Sequence, residues 1–252
     1  MKKRVRTGVL IFIWLCIWQA AAWGIGNRIL FVGPVEVFGA LKEQIGQPDF
    51  WRTIAHSSVR ICGGFFYSFV LACAIGIAAG RYGLLREFLE PAVGLLQSVP
   101  VASFVILALI WIGSENLSVL ISFVVVFPII YRNTLQGMAA ADRKLLEMAQ
   151  VFEIGPVRRF WYIYRPALFP YLMASCRTAF GMAWKSGAAA EVIGVPDLSI
   201  GEKLYMAKIY LSTAELFAWT LVIIVVSRIF ETLFLRILQV FAPERDAGRS
   251  RG

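Results

Sequence analysis

Three long uncharged stretches dominate what this chain can become. Thr7–Ile25, Ile61–Gly80 and Pro91–Ser114 contain no Asp, Glu, Lys or Arg, and each reaches the roughly 20 apolar residues that a helix needs to cross a bilayer. A body of 252 residues that is 59% hydrophobic and only 16% charged has too much apolar surface to bury as a soluble globule. The formal charge of +9 suits an anionic membrane surface or a nucleic acid, and the composition selects membrane lipid, with no nucleic acid partner. Three further segments complete the pattern. Asn116–Tyr131 is short and contains Pro128, and it gains depth if Arg132 snorkels to the interface. Pro166–Ala190 is interrupted by Arg177 and Lys185, and Leu216–Leu235 by Arg228 and Glu231. The expected fold class is an all-α integral membrane protein with six transmembrane helices, at about 7–26, 58–80, 92–113, 116–136, 167–191 and 215–237. These form one domain over 1–242, followed by a disordered cytoplasmic tail at 243–252.

Several chemistries are excluded early. Cys16, Cys62, Cys73 and Cys176 lie singly in apolar runs, and His56 is the lone histidine, so neither a disulfide framework nor a metal site is expected. No cofactor site is legible either. The basic start and Ala20-Ala21-Ala22 resemble a signal peptide, but no soluble domain follows that would require export, so a retained anchor is expected. With the N-terminus inside, fifteen of the 25 basic residues fall in cytoplasmic segments and five (Arg28, Lys42, Arg52, Lys203, Lys208) outside. That asymmetry places both termini, and the long loop after the fourth span, in the cytoplasm. On the outer side Pro34 opens a short helix, PVEVFGALKEQI, which Gly46-Gln47-Pro48 stops.

The cytoplasmic loop at 137–166 is too ordered in pattern to be a mere linker. Asp142 is placed to cap a helix from Arg143 to about Glu153, with Leu145, Met148, Ala149 and Phe152 on one face. Gly155 permits a left-handed turn, and Pro156 suits the first position of a second helix. There Val157, Phe160, Trp161 and Tyr164 form a stripe, with Arg158, Arg159 and Arg165 away from it, as on an interfacial helix against anionic lipid. The result is a hairpin that can seat in a groove of another protein.

This loop resembles the coupling segment of permease subunits in binding-protein-dependent ABC importers. Their pattern runs Glu-Ala-Ala, then Gly, then Ile-x-Leu-Pro. Glu147-Met148-Ala149 and Ile163-Tyr164-Arg165-Pro166 match its ends, while Glu153 stands at the glycine position and Arg165 at the leucine. Gly155 is then expected to make the turn two residues later. The segments HSSVRICGGF, LLQSVPVASFVILALIWIGSENL and RTAFGMAWKSGAAAEVIG resemble the nitrate, sulfonate and taurine branch. The resemblance implies an inner-membrane homodimer, cytoplasmic ABC ATPase subunits, an outer solute-binding protein, and solute passage by alternating access. It also implies that Asp142, Leu145, Glu147, Met148, Ala149, Phe152, Glu153, Gly155, Ile163 and Pro166 couple the chain to the ATPase. The chain has no G-x-x-x-x-G-K-[ST] loop, so it is not expected to be an enzyme, and ATP falls to a separate polypeptide.

The translocation path is sought among polar residues within spans. On an ideal helix Glu191 falls within roughly 40° of Arg177 and Lys185 about 80° from it, one broad face that suits anions. Arg177 reaching Glu231 is the structural alternative, and Arg228 is spaced to pair with Glu231. Pro100 and Pro128 are expected to break the third and fourth spans, with Gln97, Ser98 and Ser103 as further pore-lining candidates. A small organic or inorganic anion such as a sulfonate or nitrate is the expected solute, with a vitamin or vitamin precursor as the alternative. An ATP-independent secondary transporter would need no docking hairpin.

Overall fold

A computed structural model of the protein describes residues 2–242, which form helices and their connections; the tail expected at 243–252 lies outside the described residues. Helix α1 (Lys2–Ile25) is uncharged from Thr7 onward, and its Arg6–Ile25 stretch is almost wholly exposed, as suits a helix solvated by lipid. It is tied down near its end by Trp18, whose indole N–H donates to the Val32 carbonyl at 2.9 Å. Helix α2 (Pro34–Ile45) opens on its proline as expected and buries Val37 against Val32 and Ala218. Pro48 does more than stop α2. It opens α3 (Pro48–Arg81), because a residue without an N–H costs a helix nothing in its first turn. The helix that carries the expected second span therefore starts ten residues before 58.

The uncharged run Pro91–Ser114, the expected span at 92–113, is broken at Pro100 as expected. Helix α4 (Gly83–Ser98) ends at Val99-Pro100, and α5 (Val101–Ile112) leaves at 103° to it. The residue before a proline is driven out of the helical region, and Val99 is extended at φ −68°, ψ 125°. Pro128, by contrast, leaves α6 (Leu117–Ala139) unbroken. It is buried between neighbours, and nearby Ser68 of α3 donates to the Phe123 carbonyl at 3.0 Å, tying α6 to α3.

The hairpin comprises α7 (Arg143–Val151), α8 (Pro156–Arg159) and a π-helical turn over Phe160–Tyr164. It feeds α9 (Arg165–Gly194), then α10 (Ile200–Ile209) and α11 (Thr213–Val240). Helix α10 was not foreseen, although Ser199 and Glu202 have capping-box spacing and the Ser199 hydroxyl accepts from the Glu202 N–H at 2.9 Å. Among the described residues, three helices are long and apolar enough to cross a membrane, or four if α4 and α5 make one broken span. Helices α9 and α11 are 30 and 28 residues long, ample for crossing, but carry the charges noted above.

Helix α6 packs along both α3 and α9, and these three form the core. Small residues make the approach possible: a Cβ at Gly137 would meet the Leu168 Cα at 2.9 Å. Phe65 and Phe180 hold the middle with ring centroids 4.1 Å apart, and Phe234 of α11 joins them at 5.2 Å from Phe65. Polar ties mark the two ends. At one, Arg60 pairs with Glu115 and donates to the Asp197 carbonyl at 3.3 Å. At the other, Arg132 pairs with Glu90 at 3.1 Å, and Arg165 joins the hairpin to the end of α11.

Candidate functional site

The hairpin is built on a small core of its own. Asp142 caps α7, its carboxylate accepting from the Lys144 N–H at 2.9 Å. Two crossed bonds close the other end: Ile154 N–H donates to the Ala149 carbonyl at 2.8 Å, and Glu153 N–H to the Gln150 carbonyl at 3.1 Å. This is a Schellman stop, which requires a left-handed residue just past the cap. That residue is Glu153, at φ 49°. Gly155 does not make the turn, contrary to expectation: it is extended, at φ −59° and ψ 154°. The reason is packing. Ile154 must fold back beside Ala149 into a cluster with Ala141 and Ile163, which ends α7 at Val151 and leaves Glu153 the turning position.

Ala149 is fully buried in this cluster and Ile163 nearly so. The face expected to hold Leu145, Met148, Ala149 and Phe152 together is therefore split. Ala149 points into the hairpin, while Leu145, Met148 and Phe152 remain exposed, Phe152 at 73%. Glu147, Glu153, Gly155 and Pro166 are exposed as well. Pro166 cannot donate to the Tyr162 carbonyl and its ring would crowd it. The wider turn at 160–164, where Arg165 N–H reaches back to the Phe160 carbonyl, accommodates this.

Arg165 is not turned away from the aromatic stripe, as expected, but lies on it. Its guanidinium sits 4.6 Å from the Trp161 ring centroid and donates to the Phe241 carbonyl at 2.5 Å. Residues four apart share a helix face, so this pairing was legible in the spacing of Trp161 and Arg165.

The expected translocation residues do not form one face. Arg177 and Lys185 are exposed on α9, whereas Glu191 is fully buried. The Glu191 carboxylate accepts from the Ser57 hydroxyl at 2.7 Å and the Gly201 N–H at 3.3 Å, and the Ser57 oxygen accepts from the Ile200 N–H at 2.8 Å. Helix angle alone did not report the burial of Glu191, because α10 packs against that part of α9. Gln97, Ser98 and Ser103 are exposed around the Val99-Pro100 corner, with Ser98 donating to the Gly94 carbonyl at 2.9 Å. Arg228 pairs with Glu231 at 2.9 Å, as its spacing suggests, leaving Arg177 unbonded to it.

The family described as the binding-protein-dependent transport system inner membrane component matches residues 71–246. The chain belongs to this family. It is a multi-pass inner-membrane permease subunit of an ABC transporter and not itself an enzyme, and such a permease works with an ATPase and a solute-binding protein. The permease is 28% identical over 241 residues to a Bacillus subtilis (strain 168) protein named for aliphatic sulfonates transport, the permease SsuC, covering 95% of this chain and 85% of that one. It is 25% identical over 237 residues to the taurine transport system permease protein TauC of Escherichia coli (strain K12), covering 92% and 84%. The nitrate import permease protein NrtB of Synechocystis sp. is 25% identical over 202 residues, covering 76% of this chain and 72% of that one.

Proposed function

We propose that the permease forms the translocation pathway for a small oxyanion, as a homodimer of six-span subunits with both termini in the cytoplasm. The two charged helices α9 and α11 then count as spans, and α4 with α5 as one broken span. The hairpin docks on the ATPase through Leu145, Met148 and Phe152, while Ala149 and Ile163 keep it stiff enough to transmit movement. Glu147, at the outward edge of α7, and Asp142, which fixes the start of that helix, belong to the same surface.

The observation that carries this reading is the self-packed hairpin: its apolar edge stays exposed although a core is available beside it. An edge of that kind fits a groove on a soluble partner. The oxyanion reading is supported by Arg177 and Lys185, both exposed on α9, and by the sulfonate, taurine and nitrate named in its relatives. Uptake by vesicles containing the permease, its ATPase and its binding protein tests the solute class. Labelled taurine, methanesulfonate or nitrate should accumulate with ATP, and a neutral vitamin precursor should not. Accumulation of the neutral compound alone would reverse the assignment.

A further inference from the structure

Helices α9 and α11 leave a cavity of about 560 Å³ between them, lined by Arg177, Arg228 and Arg236 with one carboxylate, Glu231. Arg228 is already paired with Glu231, so Arg177 and Arg236 have no acidic partner among the described residues. Because Arg165 at the start of α9 bonds to Phe241 at the end of α11, the heights of these groups compare directly. At 1.5 Å per residue Arg177 and Arg228 both lie about 18–20 Å from that end, and Arg236 about 7 Å. The cavity thus runs from the hairpin end to the depth of the bilayer centre.

We propose that this cavity is an oxyanion-binding site on the hairpin side of the pathway, with Arg236 and Arg177 as its ligands and the Arg228–Glu231 pair setting its wall. Planar guanidinium groups hold oxyanions through paired N–H bonds, and exposed arginines at this depth need an anion or water against them. A phospholipid headgroup shares the chemistry, but headgroups stay at the interface, whereas Arg177 and Arg228 lie near mid-membrane. Solute is therefore the favoured source. The inference rests on the oxyanion reading above and assigns α11 a part in it.

The test uses the complete complex in neutral phosphatidylcholine nanodiscs, with Cys16→Ser to remove the exposed native thiol. Thr232→Cys, or Thr178→Cys as a second reporter, places a thiol in the cavity wall. An anionic sulfonatoethyl methanethiosulfonate should label it about tenfold faster than the trimethylammonium reagent. Arg177→Gln with Arg236→Gln should bring the two rates together. Millimolar sulfate or methanesulfonate should slow labelling relative to chloride at equal ionic strength. Equal rates, no labelling at either reporter, or no protection by the oxyanions would overturn the site. Loss of labelling and protection when phosphatidylglycerol is added would make the occupant a lipid and overturn the solute form. An oxyanion-protected cavity in a complex that imports no oxyanion would instead count against the proposed function alone.

Discussion

Glu153→Gly is the substitution on which the hairpin geometry can be judged. Glu153 is held at φ 49° by the two bonds that end α7. A left-handed conformation costs a residue with a Cβ about 1–2 kcal/mol, and glycine adds about 0.5–1 kcal/mol of chain entropy in return. The net expectation is a gain of about 0.5–1 kcal/mol, confined to the hairpin. Exchange of the Ile154 amide, bonded to Ala149, should slow about two- to fivefold in a hydrogen-exchange measurement on the peptide spanning 149–156, since 1.4 kcal/mol is about tenfold. Gly155→Ala is the control. Gly155 is extended, and a Cβ there meets nothing within 4 Å, so it should be neutral or stabilising by up to about 1 kcal/mol. Faster exchange in Glu153→Gly together with faster exchange in Gly155→Ala would place the turn at Gly155 and refute the packing argument.

Two substitutions probe the bundle that carries the hairpin. Gly137→Ala should destabilise by about 1–3 kcal/mol through overpacking, because the added Cβ meets backbone at Leu168; a lowered thermal midpoint of the purified permease would register it. Glu191→Ala strands the Ser57 hydroxyl and the Gly201 N–H, at about 1–3 kcal/mol for each unsatisfied group, and should loosen α10 to protease. In a double-mutant cycle with Ser57→Ala the two losses should fall well short of adding, since one network is lost in both.

Legibility followed the range of the interactions. Long uncharged runs marked the apolar helices, and the cap at Asp142 and proline start at Pro156 were readable because each depends on a few neighbouring residues. The turn was misplaced because glycine preference is local, whereas the pairing of Ile154 with Ala149 against Ile163 is tertiary. The burial of Glu191 was not legible for a similar reason: its partners Ser57 and Gly201 come from α3 and α10. The 103° corner at Val99-Pro100 was signalled by its proline, yet Pro128 sent the same signal inside an unbroken helix. Burial does not separate them, since Pro91 and Pro170 are exposed yet lie inside α4 and α9, so a proline in a local pattern does not by itself locate a break.

The central claim, that the exposed edge of α7 receives the ATPase, is most directly tested by placing a charge on it. Leu145→Asp combined with Phe152→Asp alters two exposed side chains outside the hairpin core, so insertion and exchange protection around Ala149 should be retained. Binding-protein-stimulated ATP hydrolysis and uptake in proteoliposomes should both fall to background. Wild-type uptake by the double variant would contradict the account.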